Sequence, residues 1–229
     1  MRVRMVAFAR IVGVPMNSPV ADLLVFIDVI CPWCLVGKRR LERALTMIAP
    51  ETVRVTWLPF ELNPDMPKEG MKRRDYRTRK FGSRERSDEL DAQMTDMGES
   101  EGIDFHFDLI VRTPNTLNAH RLIWLQRQKG GQDALVEGLF RAYFAQGRDI
   151  GSDAVLGDVA VEAGMERAQV SALLQSDEGA LQVSQEEEAA RRAGLSGVPA
   201  FILNRRPLLV GAHPPEIIAS ALRRAMDGH

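Results

Sequence analysis

Residues 23–30, Leu23-Leu24-Val25-Phe26-Ile27-Asp28-Val29-Ile30, form a nearly unbroken apolar run. A run of this length, rich in β-branched and aromatic residues, predicts a buried strand. Beyond it, Leu41, Ala44, Leu45 and Ile48 recur at i, i+3, i+4 and i+7, which is one face of a helix that Pro50 would end. Val53-Arg54-Val55-Thr56-Trp57 then alternates with period two and predicts a second strand. From Asn63 to about Val183 no strand is expected; helical spacing and glycine stops take over. Helices are predicted over residues 117–129 with Asn115 or Thr116 as cap, around 136–143 stopping near Gly147, over 154–163, and from near Glu166. Another covers 180–193, with Glu187–Arg191 and Glu188–Arg192 at the favourable i, i+4 spacing and Gly194 as its C-cap. Ala200-Phe201-Ile202-Leu203, the turn Asn204-Arg205-Arg206 and Pro207-Leu208-Leu209-Val210-Gly211 read as a hairpin. Pro214-Pro215 opens a last helix whose apolar face is Ile218, Ala221, Leu222 and Ala225.

This pattern divides the chain. Strand and sheet signals occupy residues 21–62 and 184–229, and a helical insertion fills 63–183. Residues 1–20 read as a disordered N-terminal extension. Arg2 and Arg4 precede an apolar stretch there, but Arg10 interrupts it and no Ala-x-Ala cleavage site follows, so an export signal is not expected. Met16 is a plausible alternative start. The 229 residues, 45% hydrophobic and 27% charged, suit one large domain or a domain with an insertion, and can bury a core without disulfide staples. Thirty basic against thirty-one acidic residues leave a net charge of −1, so no global field recruits nucleic acid. No apolar run of about eighteen residues is present to span a membrane. Eight basic residues crowd positions 72–86 (Lys72, Arg73, Arg74, Arg77, Arg79, Lys80, Arg84, Arg86) with two acidic ones, Asp75 and Glu85. They read as a solvated helix face, or more sharply as a docking patch for an acidic partner or glutathione.

The chemistry concentrates in two cysteines, Cys31 and Cys34, both within Cys31-Pro32-Trp33-Cys34. Two cysteines exclude a disulfide scaffold and a four-cysteine zinc site. Half a zinc site would need partners from His106, His120, His213 or His229, none of which is paired at ligand spacing. A strand that ends in Cys-x-x-Cys at a helix start has a direct physical meaning. The first helical turn carries unpaired N–H groups and about half a positive charge, which stabilise a Cys31 thiolate. Pro32 is tolerated there because its missing N–H would be unpaired anyway. Cys34, one turn on and more buried, is placed to resolve a mixed disulfide, and Gly37 admits close packing against the helix. Val198-Pro199 is the second element. Either isomer suits the dipeptide alone; beside the CxxC, a cis bond that leaves the Val198 backbone free for an extended substrate is expected. Asp28, in an apolar strand, either shuttles a proton to Cys34 or hydrogen-bonds locally near the loop. His120 and the scattered methionines read as core.

Taken together, these residues resemble the DsbA-like thioredoxin superfamily and, within it, the FrnE-type oxidoreductases. The matching pieces are Phe26-Ile27-Asp28-Val29-Ile30-Cys31-Pro32-Trp33-Cys34-Leu35-Val36-Gly37, Phe60-Glu61-Leu62-Asn63-Pro64, Pro114-Asn115-Thr116-Leu117-Asn118-Ala119-His120-Arg121, Gly197-Val198-Pro199-Ala200-Phe201 and Gly211-Ala212-His213-Pro214. They span about residues 22 to 226. The resemblance implies an α/β thioredoxin fold interrupted by a large helical domain, and thiol–disulfide exchange through Cys31. Kappa-class glutathione transferases and 2-hydroxychromene-2-carboxylate isomerases look similar in scaffold, but carry serine at the position of Cys31. They also hold glutathione partly through an acidic residue after the last hairpin, where this chain has no carboxylate.

The expectation is therefore a cytoplasmic dithiol–disulfide oxidoreductase, monomer or homodimer, acting on protein or small thiol and disulfide substrates. Pro32 and Trp33 would form its active-site loop, and Val198 and Pro199 its substrate groove. No metal or organic cofactor is expected; glutathione is a candidate co-substrate. The alternatives are a glutathione-dependent transferase or isomerase, and a non-enzymatic chaperone-like protein using a groove between the two domains.

Overall fold

A computed structural model describes residues 20–49 and 53–227. Residues 1–19 of the N-terminal extension, Pro50 and His229 lie outside the described residues. The chain forms two compact units, one holding the described residues up to Leu62 and from Leu181 onward, the other Asn63–Ala180. The division falls in the first turn of a helix, slightly before the 183/184 boundary expected from the sequence.

The first unit is a four-stranded sheet with helices. Strand β1 (Ala21–Ile27) leads through a short turn to helix α1 (Pro32–Met47), which returns to β2 (Val53–Pro59). β1 and β2 are parallel, with Leu23 opposite Val55 and Val25 opposite Trp57. After the insertion come α8 (Ala180–Arg192), β5 (Ala200–Leu203), β6 (Arg206–Val210) and α9 (Pro215–Met226). The strand order is β2-β1-β5-β6, with β5 antiparallel to both neighbours.

Both faces of β1 are covered, which is why its sequence shows no alternation. Leu24 and Phe26 pack with Leu58, Phe60, Ile202 and Ala190 of α8. The other set, Leu23, Val25 and Ile27, is equally buried. The period-two reading of β2 holds only over its first half, because Thr56 is buried too. α1 and α9 pack against each other. The β5–β6 turn uses Asn204 and Arg205, both at positive φ (46° and 68°), as a two-residue primed hairpin turn requires.

One expectation about β1 needs correction. The strand stops at Ile27, and Asp28–Ile30 leave it as a turn in which the Cys31 N–H donates to the Asp28 carbonyl at 3.0 Å. Hydrophobicity persists through Val29 and Ile30, so the exit left no mark in the apolar pattern.

The second unit is built from α2 (Arg73–Phe81), α3 (Arg84–Ser100), α4 (Leu117–Arg127), α5 (Gln132–Phe140), α6 (Asp153–Glu162) and α7 (Arg167–Leu174). It also contains what the sequence reading excluded: an antiparallel pair, β3 (Met71–Lys72) with β4 (Arg112–Thr113). Two-residue strands are shorter than any period they could display. The helix expected around 136–143 is also altered. α5 ends at Phe140, and Arg141–Ala145 widen into a π-helical turn. Phe144 there makes edge-on contacts with Phe105 and Phe107, and stacks with Phe140. The basic stretch is not a uniformly solvated face: Arg73 and Arg77 converge on Asp91 at 2.7 and 2.6 Å, while Lys72, Arg74 and Arg79 are exposed.

Candidate active site

The site is assembled at the N-terminus of α1. Cys31 is the N-cap residue, with extended backbone (φ −92°, ψ 113°), and Pro32 occupies the first helical turn, where its lack of an N–H costs nothing. The Cys34 N–H donates to the Cys31 carbonyl at 3.0 Å, which starts the helix. Both cysteines are free thiols. Their environments differ: Cys31 retains 6% of its surface, while Cys34 has none. Trp33 between them is 43% exposed and presents an apolar ring to solvent.

This asymmetry has an electrostatic counterpart. Burial pushes the Cys34 thiol well above the ordinary thiol range, and the hydrogen bond and charge interaction with Cys31 push it further. A backbone hydrogen bond at Asp28 works in the opposite direction, and the Asp28 charge adds to the rise. Cys34 is therefore held as a neutral thiol.

Across from Cys31 lies the loop before β5. The Cys31 sulfur sits 3.9 Å from the Val198 carbonyl oxygen, and the Val198–Pro199 peptide bond is cis. Pro199 is buried against α1. A Cβ placed on Gly37 would stand 2.7 Å from Pro199 Cγ, so only glycine leaves room for the ring. The Pro199 carbonyl is held by the Gly211 N–H at 2.7 Å. Among the described residues, nothing engages the Val198 N–H.

Asp28 is completely buried. One carboxylate oxygen accepts from the Leu62 N–H at 2.7 Å and the other from Ile30 N–H at 3.4 Å. The carboxylate thus ties the end of β2 to the turn before Cys31, which is the local role considered for it.

At this end of the sheet, Glu187 and Arg191, which their i, i+4 spacing marks as a helix pair, also engage the Glu61 backbone. The Glu61 N–H donates to Glu187 Oε1 at 2.6 Å, and Arg191 donates to the Glu61 carbonyl at 2.5 Å while lying over the Phe60 ring at 4.1 Å. Glu61 belongs to the Phe60-Glu61-Leu62 segment, but nothing in its spacing announced a partner on α8. Lys38 is buried on α1, bonded to Glu42 and near the Trp57 ring. Arg40 donates to the Ala212 carbonyl at 2.6 Å. His120 is buried in the second unit. The neighbouring Arg121, also buried, donates to the carbonyls of Leu173, Ser176 and Glu178 and to Asn118 Oδ1. Among the described residues no three His, Cys, Asp or Glu side chains group as metal ligands, and no helix is long and apolar enough to cross a membrane.

A thioredoxin-type sheet carrying a Cys-x-x-Cys pair at the start of its first helix, with a Val-Pro beside the first sulfur, defines a class: thioredoxin-fold proteins that handle dithiols and disulfides. The chain belongs to the DSBA-like thioredoxin domain family, whose model matches residues 22–223. It is 30% identical to a protein described as a probable DsbA oxidoreductase from Streptomyces coelicolor, with a TM-score of 0.83 and 91% of each chain covered. It is 24% identical over 205 residues to the uncharacterized protein YwbO of Bacillus subtilis (strain 168), covering 86% of this chain and 94% of that one. It also shares its fold with the cytosolic disulfide reductase DsbM of Pseudomonas aeruginosa, whose structure was determined with GSH. That match has 18% identity, a TM-score of 0.62, and covers 90% of this chain and 99% of the other. The thioredoxin-fold core with an inserted helical subdomain is thus established. A cysteine pair in this setting points to thiol–disulfide chemistry.

Proposed function

We propose that the chain is a FrnE-type thiol–disulfide oxidoreductase that exchanges disulfides with protein substrates through Cys31-Pro32-Trp33-Cys34. The observation that carries this reading is the unequal placement of the two sulfurs: Cys31 caps the helix beside the Val198 carbonyl, and Cys34 is fully buried, which pushes its thiol well above the ordinary range.

In the reducing direction, the Cys31 thiolate attacks one sulfur of a substrate disulfide. A Cys31–substrate bond forms, the substrate S–S bond breaks, and the leaving sulfur departs as thiolate and takes up a proton. Cys34 then gives up its proton and attacks the Cys31 sulfur. The Cys31–Cys34 bond forms, the second substrate sulfur leaves, and two electrons have passed to the substrate. Two equivalents of a low-molecular-weight thiol return the pair to the dithiol and leave as their own disulfide. The reverse sequence oxidises a substrate dithiol. In this reading Trp33 offers the client an apolar contact, and Val198, with its open N–H, lends an extended segment a place to pair.

A Cys34→Ser variant tests the proposal. It is expected to accumulate mixed disulfides through Cys31, visible as slow-migrating species on non-reducing gels, and Cys31→Ser to accumulate none. Equal accumulation in both variants, or none in either, sinks the reading. Glutathione enters as a proposed co-substrate, supported by the fold shared with DsbM. The segment Gly211–Pro214 supplies no carboxylate to a dedicated site. Turnover of Cys34→Ser that saturates with glutathione supports co-substrate use. A cytoplasmic location is part of the same proposal, and fractionation of cells making the full chain checks it.

A further inference from the structure

Arg40 lies on α1, beyond Cys34 and Gly37, and is half-buried. Its Nη1 donates to the Ala212 carbonyl at 2.6 Å, a short charge-assisted hydrogen bond. Ala212 belongs to the segment that follows β6. That segment folds on itself: the His213 N–H donates to the Gly211 carbonyl at 3.0 Å, and His213 Nε2 lies 3.0 Å from the Val210 carbonyl. Gly211, at φ 98°, turns its N–H onto the Pro199 carbonyl at 2.7 Å. The next residue back is Val198, whose carbonyl faces the Cys31 sulfur. A continuous series of contacts therefore runs from Arg40 through Ala212, Gly211 and Pro199 to Val198. It begins on the helix that carries both cysteines. The loop itself is 167 positions away in sequence from Cys31.

The two sides of this arrangement act differently on Pro199. The helix surface at Gly37 and the pyrrolidine ring meet only by contact, which limits how close the loop can come. Contact does not keep the loop from lifting away. The β5 ladder holds the chain from Ala200 onward, and the Arg40 bond adds a restraint on the far side of the loop by tying Ala212 to α1.

We propose that Arg40 is a positioning residue that sets the height of the Val198–Pro199 edge relative to Cys31, and with it the affinity for extended, disulfide-bearing peptides. It touches neither substrate nor sulfur. The inference rests on the proposed function, because it assumes that a peptide pairs with Val198. A small aromatic disulfide needs access to the Cys31 sulfur but no pairing with that edge, so the two substrate types separate positioning from general damage.

The test uses the full chain with Arg40→Met, which keeps the apolar stem and removes the donors, and Arg40→Lys, which keeps the charge and a donor. Steady-state exchange is measured with a disulfide-containing peptide and with a small aromatic disulfide. For Arg40→Met, KM for the peptide is expected to rise about tenfold, the size of losing one positioned, charge-assisted contact, with kcat changing less than about twofold. The rate with the small disulfide should fall less than about threefold, and Arg40→Lys should bring the peptide KM back to within about threefold of the parent. Unchanged peptide KM in Arg40→Met overturns the proposal, and so does a parallel loss on both substrates. If the parent itself exchanges neither substrate, the proposed function fails, and that result is distinct from an Arg40 variant that behaves like an active parent.

Discussion

Gly37→Ala puts the packing of the site to a quantitative test. Gly37 lies inside α1, and a helix interior ordinarily gains up to about 1 kcal/mol when alanine replaces glycine. Here the added methyl would stand 2.7 Å from Pro199 Cγ and 3.3 Å from Pro199 Cβ. Ordinary carbon contacts are about 3.5–4.0 Å, so one side must retreat by several tenths of an ångström. Pro199 cannot retreat freely, since its carbonyl is fixed by Gly211. Overpacking of this kind costs about 1–3 kcal/mol, which cancels the full helical gain and leaves a net loss of up to about 2 kcal/mol. Gly157, in α6, is the matched control, because a Cβ there meets nothing within 4 Å. Gly157→Ala is expected to stabilise by about 0.5–1 kcal/mol. Urea unfolding of the three proteins reads both signs. The same strain moves the Val198 carbonyl relative to the Cys31 sulfur, so peptide exchange by Gly37→Ala should fall about tenfold while Gly157→Ala matches the parent. A Gly37→Ala protein as stabilised as Gly157→Ala, with full exchange activity, would refute the packing argument.

The buried thiol predicts a pH dependence. The Cys34 pKa is raised in the fold, so above pH 9.0 the unfolded chain releases a proton that the folded chain keeps, and stability falls with rising pH. The extra slope in the reduced protein approaches at most about 1.4 kcal/mol per pH unit and should vanish in Cys34→Ala and in the oxidised protein; equal slopes in all three would contradict it. In the second unit, Arg121 binds the carbonyls of Leu173, at the end of α7, and of Ser176 and Glu178 beyond it, so Arg121→Met should destabilise by about 2–4 kcal/mol in urea unfolding, whereas a loss under about 0.5 kcal/mol would show those carbonyls finding other partners.

How much of this was legible in the sequence depends on the range of the interaction. β1, α1 and α9 announced themselves, because burial of a strand on both faces writes an unbroken apolar run, and burial of one helix face writes a period, into neighbouring residues. The Cys-x-x-Cys pair was legible for the same reason: strand, turn and helix are contiguous, and the helix end dictates what a sulfur there experiences. The β3–β4 pair and the π-helical turn at Arg141–Ala145 left no such trace. One is too short to show a period, and the other is set by how Phe144 meets Phe105 and Phe107. Arg40 and Arg191 bind backbone carbonyls, which every residue carries, so nothing in the composition of Ala212 or Glu61 could identify them as partners. Asp28 stands out in the sequence because a carboxylate in an apolar run is costly, but its bond to the Leu62 N–H depends on where the chain runs after β2.

The buried position of Cys34 poses a difficulty for the proposed mechanism, and the causes of its raised pKa contain the answer. A resolving thiol that never ionises would leave every mixed disulfide intact. Burial is the largest cause and persists throughout the cycle. The next two, the hydrogen bond and the charge interaction with Cys31, exist only while the Cys31 sulfur is free. Once that sulfur is bonded to a substrate it carries no charge and no proton, and both contributions fall away. The backbone hydrogen bond at Asp28, which favours the Cys34 thiolate, remains. Cys34 thus becomes easier to ionise at the step that needs its thiolate, and stays protonated while Cys31 waits for a substrate. The Asp28 charge adds to the rise of the Cys34 pKa in the dithiol, and its bonds to Leu62 and Ile30 hold the buried carboxylate beside the turn that leads to Cys31.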